Sequence, residues 1–184
     1  MPVEDILLQF IIPFFIIILL VIALFWYRKN NLKLRIKHIV KKISFDYLED
    51  VIIDNGAEQY AQYDYIVLND NGIIVLDIKN YAGNIFAAEK INEWTQVIDR
   101  NSYMFRNPFF DLSQKLDLLR NDVADLELSA LIVFTDKAFF PKGRPDSVLT
   151  LNELKERFTM RSKKIPDEWR TQWAAFKRSL EACE

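Results

Sequence analysis

Two carboxylates and an ammonium group stand near the ends of two short apolar segments of this sequence. Asp77 and Lys79 end the β-branched run 73–79, and Asp64 lies in the preceding run 62–68. Residues two apart in a strand project from the same face, so Asp77 and Lys79 are expected to share a face. Carboxylates beside a lysine are the groups that hold a divalent cation against a phosphate.

The segment between these runs, residues 69–72, reads Asn-Asp-Asn-Gly, and turn residues of this kind join two strands as a hairpin. A turn at the Asp-Asn pair, or a four-residue loop, places Asp64 opposite Asp77, whereas a turn at the Asn-Gly pair places it opposite Lys79. Cross-strand partners share a face, so each of these registers gathers the three side chains. A loop of three or five residues would turn Asp64 to the other face. The alternative is an exposed salt bridge on an edge hairpin.

A long apolar segment precedes these runs. Residues 6–27 carry no charge and are interrupted only by Gln9 and Pro13. About 20 such residues cross a bilayer, so we expect residues 1–27 to form one transmembrane anchor in contact with lipid. A cleaved signal peptide is the alternative, but it would need a basic start and a shorter apolar core. The start here is acidic, with Glu4 and Asp5.

Charge is distributed unevenly about that segment. No Lys or Arg precedes it, and seven follow it between residues 28 and 42. The positive-inside rule therefore predicts a single-pass protein of a bacterial-type inner membrane, with the N-terminus outside and the following domain cytoplasmic. From residue 43 onward 17 basic residues stand against 24 acidic ones, so that part lacks the basic footprint of a nucleic-acid binder. The single cysteine, Cys183, excludes a disulfide framework within the chain.

The pattern of apolar residues predicts a basic juxtamembrane helix over 28–44 and one α/β domain with C-terminal helices over 45–184. We expect strands near 51–53, in the two runs above, after Gly83 as a third strand of the hairpin, at 130–134 and at 148–149. Residues 93–106 read as a short strand and loop. One helix is expected from Asn107-Pro108 to about residue 124, and a second after the capping box that Thr150 begins. A third helix is expected from about residue 166, and its apolar stripe is expected to pack in the core. That stripe is Trp169, Trp173, Phe176 and Leu180.

Several spaced motifs, in this order, resemble the nuclease-related domain, a family of the PD-(D/E)XK nuclease superfamily. The likeness covers roughly residues 35–160, and its residues are Gln62, Asp64, Asn71-Gly72, Asp77, Lys79-Asn80-Tyr81, Gly83, Trp94, Asn107-Pro108 and Gln114. The resemblance implies a mixed-sheet α/β core like that of restriction endonucleases, preceded here by the transmembrane helix.

The resemblance also implies roles for single residues. Asp64, Asp77 and the carbonyl of Ile78 would bind Mg²⁺ or Mn²⁺, and Lys79 would lie beside the attacked phosphate. Gln114 would position water or phosphate, although a capping or surface amide is an equal alternative.

One feature departs from the family pattern. Family members carry a glutamate of the active site on the first helix, whereas residues 34–40 contain no acid and Lys37 stands at about that position. Glu58 is a possible substitute. Two functions therefore stay open. The first is a membrane-anchored, Mg²⁺-dependent nuclease that hydrolyses phosphodiester bonds of DNA at the cytoplasmic membrane face. The alternative is a catalytically inactive nuclease fold that serves as a membrane-tethered platform for nucleic acid or for unidentified protein partners.

Overall fold

The computed structural model describes residues 12–54, 60–120, 122–123, 126–158 and 165–181. Expectations for the acidic start, for Glu58 and for Cys183 fall outside these residues. The chain divides into two compact units, Met1–His38 and Ile39–Glu184.

Helix α1 (Ile12–Ile43) contains the expected basic helix and begins well before it. The large apolar side chains between Phe14 and Leu24 are exposed. Among the residues that the structure describes, no helix is long and apolar enough to cross a membrane. The structure therefore gives no support to the anchor expected over residues 1–27, of which residues 1–11 are not described.

The second unit is built on two mixed sheets, as the α/β prediction requires. The strands are β1 (Asp46–Asp54), β2 (Tyr60–Asn69), β3 (Gly72–Lys79), β4 (Gly83–Phe86), β5 (Glu93–Ile98), β6 (Asn101–Arg106), β7 (Leu128–Phe134), β8 (Ala138–Phe139) and β9 (Val148–Thr150). The first sheet has the order β1-β2-β3-β7-β9 and the second the order β6-β5-β4-β8. The remaining helices are α2 (Pro108–Arg120), α3 (Leu151–Arg157) and α4 (Asp167–Glu181).

The β2–β3 hairpin closes with a two-residue turn, because Asn69 pairs with Gly72 in the antiparallel ladder. The Asn69 side chain accepts the N–H of Asn71 at 2.9 Å, which tightens the turn. Gly72 has φ +107°, and a Cβ atom there would lie 2.3 Å from the carbonyl oxygen of Glu127. Glycine is required at this point both for its backbone conformation and for the close approach of the neighbouring chain.

The centre of the first sheet is covered on both faces. β3 is antiparallel to β2 and parallel to β7. Because β3 and β7 are buried on both faces, their sequences are continuous apolar runs. Val75 and Ile132 are fully buried on one face together with Leu119 of α2. Burial of each such side chain contributes about 1.5–3 kcal/mol.

Two sequence expectations for the following segment were wrong. β4 does not extend the β2–β3 hairpin but starts the second sheet, where it pairs with β5 and β8. The turn at Gly83, with φ +87° and its N–H donated to the carbonyl of Lys137, redirects the chain. Residues 93–106 form the β5–β6 hairpin rather than a strand and a loop.

The C-terminal elements agree with their predictions. Thr150 and Glu153 form the capping box of α3, and Trp173 and Phe176 of α4 are buried. The indole N–H of Trp173 donates to Asp46 at 2.8 Å, which fastens α4 to the first residue of β1.

Candidate functional site

The end of β3 carries a buried charge. Asp77 is 2% exposed, on the sheet face that α2 covers. Lys79, two residues along the strand, places its Nζ 2.9 Å from Asp77 Oδ2. This contact does not have hydrogen-bond geometry, so Oδ2 is a buried oxygen with no hydrogen-bond partner among the described residues. Asp77 Oδ2 is therefore neutralised by the Lys79 ammonium in an ion pair, although it lacks a hydrogen bond of regular geometry.

Asp64 reaches the same place through the register of the β2–β3 hairpin. Ile66 pairs with Val75 and Tyr65 with Leu76, so residue 64 follows on the same face as residue 77. The β2–β3 ladder ends where Tyr65 faces Leu76, and the Asp64 carboxylate takes over by accepting the N–H of Ile78 at 2.7 Å.

A second lysine, Lys115 of α2, completes the cluster. Its Nζ donates to Asp77 Oδ1 at 3.1 Å, and its side chain is 16% exposed. The Tyr63 hydroxyl donates to the Lys115 carbonyl at 2.8 Å and so fixes this turn of the helix over β2. Burial and the charge of Asp122 raise the pKa of Tyr63 to about 12, which keeps that hydroxyl a donor at neutral pH.

Sequence reasoning missed Lys115, although the helical period held a signal for it. Leu112 and Leu119 are buried on α2, and residue 115 lies three positions after the first and four before the second. That spacing puts it on the buried face of the helix. A lysine on an apolar stripe requires a buried acid, and Asp77 is that acid.

The surroundings raise the pKa values of both Asp64 and Lys79. Burial raises the pKa of Asp64; the N–H of Ile78 partly offsets this effect, and the negative charge of Asp77 adds to it. Burial lowers the pKa of Lys79, but the charges of Asp77 and Asp64 outweigh it, so its pKa lies above the ordinary value. Lys79 is therefore an ammonium ion at neutral pH in this structure, which suits it to neutralise nearby negative charge.

The carboxylates of this cluster suit a divalent metal that takes only a few of its ligands from the protein. Within the residues that the structure describes, no group of three or more His, Cys, Asp or Glu side chains could hold a metal ion. Mg²⁺, however, keeps several waters and is commonly bound by one or two carboxylates together with substrate phosphate. Asp64 and Asp77 could supply the two carboxylates of that donor set, and both oxygens of Asp77 are paired with ammonium groups in this structure.

Comparison with known proteins places this cluster in a family. Residues 28–135 match the family model described as the nuclease-related domain, which is over half of the 184 residues. The chain belongs to the nuclease-related domain family. An uncharacterized protein of Bacillus anthracis is 36% identical over 87 residues, which are 46% of this chain and 41% of that protein. The chain thus spans about two fifths of the length of the curated relative it matches. No solved structure matches it.

Two motif residues of this nuclease-related domain, Asn107 and Trp94, stabilise the fold around the site. Asn107 is fully buried; its amide donates to the carbonyls of Glu89 and Ile91 at 3.0 and 2.7 Å, and its oxygen caps α2 by accepting the N–H of Phe109. Trp94 is also fully buried, and its ring stacks on Phe134 between the two sheets. Trp94 thus joins the second sheet to β7, the neighbour of the strand that carries Asp77, and Asn107 fastens the loop before β5 to the start of α2.

The other predicted residues are not part of the cluster. Gln114 adjoins Lys115 on α2, but its side chain is exposed, and no contact joins it to Asp77. Glu58, the possible substitute for the helix glutamate, lies outside the described residues. The nuclease-related domain thus brings together Asp64, Asp77 and Lys79 of the predicted set and adds Lys115. Their catalytic roles stay predictions.

Proposed function

We propose that this nuclease-related domain is a metal-dependent phosphodiester hydrolase that acts on DNA. The observation that carries the proposal is the buried Asp77, held between Lys79 and Lys115 and adjoining Asp64. Buried carboxylates next to ammonium groups at a strand end are expensive to maintain for stability alone. They suit a site that receives a phosphate and a cation together.

The residues divide the work of hydrolysis between them. Asp64 and Asp77 would hold Mg²⁺ or Mn²⁺, which when bound supplies a water of lowered pKa and neutralises charge on the phosphoryl oxygens. Lys79, kept protonated by its acidic neighbours, would stabilise the negative charge that develops as the phosphodiester is attacked. Asp64 is held toward the site by the N–H of Ile78, which limits the rearrangement needed on substrate binding.

The proposal also includes a location. The charge-free run 6–27 and the seven basic residues between 28 and 42 support attachment at the cytoplasmic face of a membrane. Alkaline carbonate extraction of cells that express the full chain tests this point. Recovery of the protein in the carbonate supernatant would contradict it.

The hydrolase proposal is tested by DNA cleavage with the purified full chain. We expect cleavage of plasmid and linear DNA with millimolar Mg²⁺ or Mn²⁺, stopped by EDTA. Asp77→Asn should reduce the rate at least a hundredfold, since the variant removes a metal-binding charge and retains the side-chain shape. Asp117→Asn is the matched control and should cleave at the wild-type rate. Asp117 is an exposed acid on α2, three residues after Gln114. Equal rates in Asp77→Asn and the wild type would refute the site.

A second function, the inactive platform, is favoured by one specific observation. Lys79 and Lys115 balance the two carboxylates, and residues 34–40 supply no third acid. In that case the wild type would bind DNA in a gel-shift assay with the same affinity with and without Mg²⁺, and would cleave none of it.

A further inference from the structure

The position of Lys115 is unusual for a residue that only supports the fold. Its ammonium donates to Asp77 Oδ1, and its positive charge also acts on Asp64. An ammonium that is hydrogen-bonded to Asp77 Oδ1 occupies one of the oxygen atoms that a metal cation would need. Lys79 also pairs with Asp77, through Oδ2, and its charge also acts on Asp64. Lys79 lies on β3 beside Asp77, whereas Lys115 reaches Asp77 from α2.

We propose that Lys115 competes with the metal: its ammonium neutralises Asp77 in the resting protein and has to leave Asp77 Oδ1 when a divalent cation binds. The inference deepens the proposed function and rests on it for the assignment of the site. It concerns metal binding itself, which is measured without substrate and without turnover.

The local structure allows this exchange to occur by side-chain motion alone. The backbone of Lys115 is held by the hydroxyl of Tyr63 at 2.8 Å, so the helix turn stays in place. The Lys115 side chain is 16% exposed, and its four methylene groups give the ammonium a route to solvent. An ammonium and a divalent cation repel one another strongly at short distance inside a protein, so both cannot share Asp77 Oδ1 at low energetic cost.

The test is a titration of the EDTA-treated full chain with Mn²⁺. Binding is measured by isothermal titration calorimetry and by the shift in melting temperature. Lys115→Met should bind Mn²⁺ at least tenfold more tightly than the wild type. Without metal it should melt at a lower temperature, because the carboxylates lose a counter-ion, and saturating Mn²⁺ should raise its melting temperature by more than that of the wild type. Lys115→Arg, which keeps the charge, should not show this gain in affinity. Lys90→Met, at an exposed lysine, is the matched control and should bind like the wild type.

Two results would overturn the inference. The first is a Lys115→Met variant whose Mn²⁺ affinity equals or falls below that of the wild type. The second is the absence of Mn²⁺ binding in both proteins up to about 10 mM, the weakest affinity expected of a two-carboxylate site. Should Lys115→Met fail to fold, Lys115→Gln is titrated in its place with the same expectations. The gain in affinity must also disappear when Asp77→Asn is added, which assigns it to this site.

Failure of the proposed function gives a different pattern. If Lys115→Met binds Mn²⁺ more tightly but no variant cleaves DNA, the competition is supported and the hydrolase proposal is rejected. If the wild type cleaves DNA and Asp77→Asn does not, while Lys115→Met shows unchanged metal affinity, the hydrolase proposal is supported and the competition is rejected.

Discussion

The ion pair between Asp77 and Lys115 should contribute measurably to folding, and a double-mutant cycle isolates that contribution. The side chains are 3% and 16% exposed, so solvent screens the pair far less than a surface pair. A hydrogen bond to a charged group contributes about 1.5–3 kcal/mol, and loss of one partner of a buried pair costs about 3–5 kcal/mol. Because Lys79 also neutralises Asp77, we expect Lys115→Met alone to cost about 2 kcal/mol, toward the low end of the first range.

The assay is urea unfolding of the full chain in EDTA, with Asp77→Asn, Lys115→Met and the double variant. We expect Asp77→Asn to cost about 3 kcal/mol, since it leaves two ammonium groups without their acid. The double variant should cost about 1.5–2 kcal/mol less than the sum of the singles. Asp46 and Lys177 form the matched control pair; their side chains are 42% and 35% exposed, so their coupling should be only about 0.2–1 kcal/mol. A coupling between Asp77 and Lys115 below about 0.5 kcal/mol would refute the view that this pair is buried and specific.

Three further predictions concern the frame around the site. Asn107→Ala should lower the free energy of unfolding by about 3 kcal/mol, because it removes the cap of α2 and leaves the carbonyls of Glu89 and Ile91 without their donor; a loss below about 1 kcal/mol in urea unfolding would contradict this. Gly83→Ala should cost at least about 2 kcal/mol, since φ is +87° and the new Cβ would lie 2.4 Å from the carbonyl oxygen of Val97. Gly143→Ala, at φ +79° with nothing within 4 Å, is its control and should cost about 1 kcal/mol. For Asp46, burial raises the pKa, but Trp173, Lys177 and the N–H of Tyr47 outweigh it, so the pKa lies below its usual value. The stability that the Asp46 charge contributes is therefore full above the unfolded-state pKa of about 3.9 and is lost as the pH falls through the folded value. The difference in stability between wild type and Asp46→Asn should be present at pH 6 and disappear near pH 2, and a difference that persists at pH 2 would contradict the assignment.

Part of the site could be predicted because its residues are close in sequence. Asp77 and Lys79 lie two apart on one strand, and the Asn-Asp-Asn-Gly segment fixes the hairpin that follows Asp64. Both inferences depend on the period of two in a strand and on turn chemistry, which are local properties. Local patterns also predicted the capping box at Thr150 and the apolar stripe of α4.

Other parts depend on contacts between distant segments. Lys115 lies 38 residues from Asp77, and the sequence pattern shows only that it is a lysine on the buried face of a helix. Gln114, its neighbour, was predicted instead because it belongs to the family motif, and no local pattern places Asp77 beneath α2. The second sheet was missed for a similar reason: β4 pairs with β8, more than 50 residues later, and no short-range rule predicts that pairing.

The sequence alone therefore determined the chemistry available to this protein: two acids and a lysine on one hairpin, and membership of a family with that pattern. The tertiary structure decided how that chemistry is balanced. Packing of α2 on the sheet brings a second ammonium ion onto Asp77, and burial makes each of these charges depend on the others, because in a protein interior a charge is stable only beside its partner.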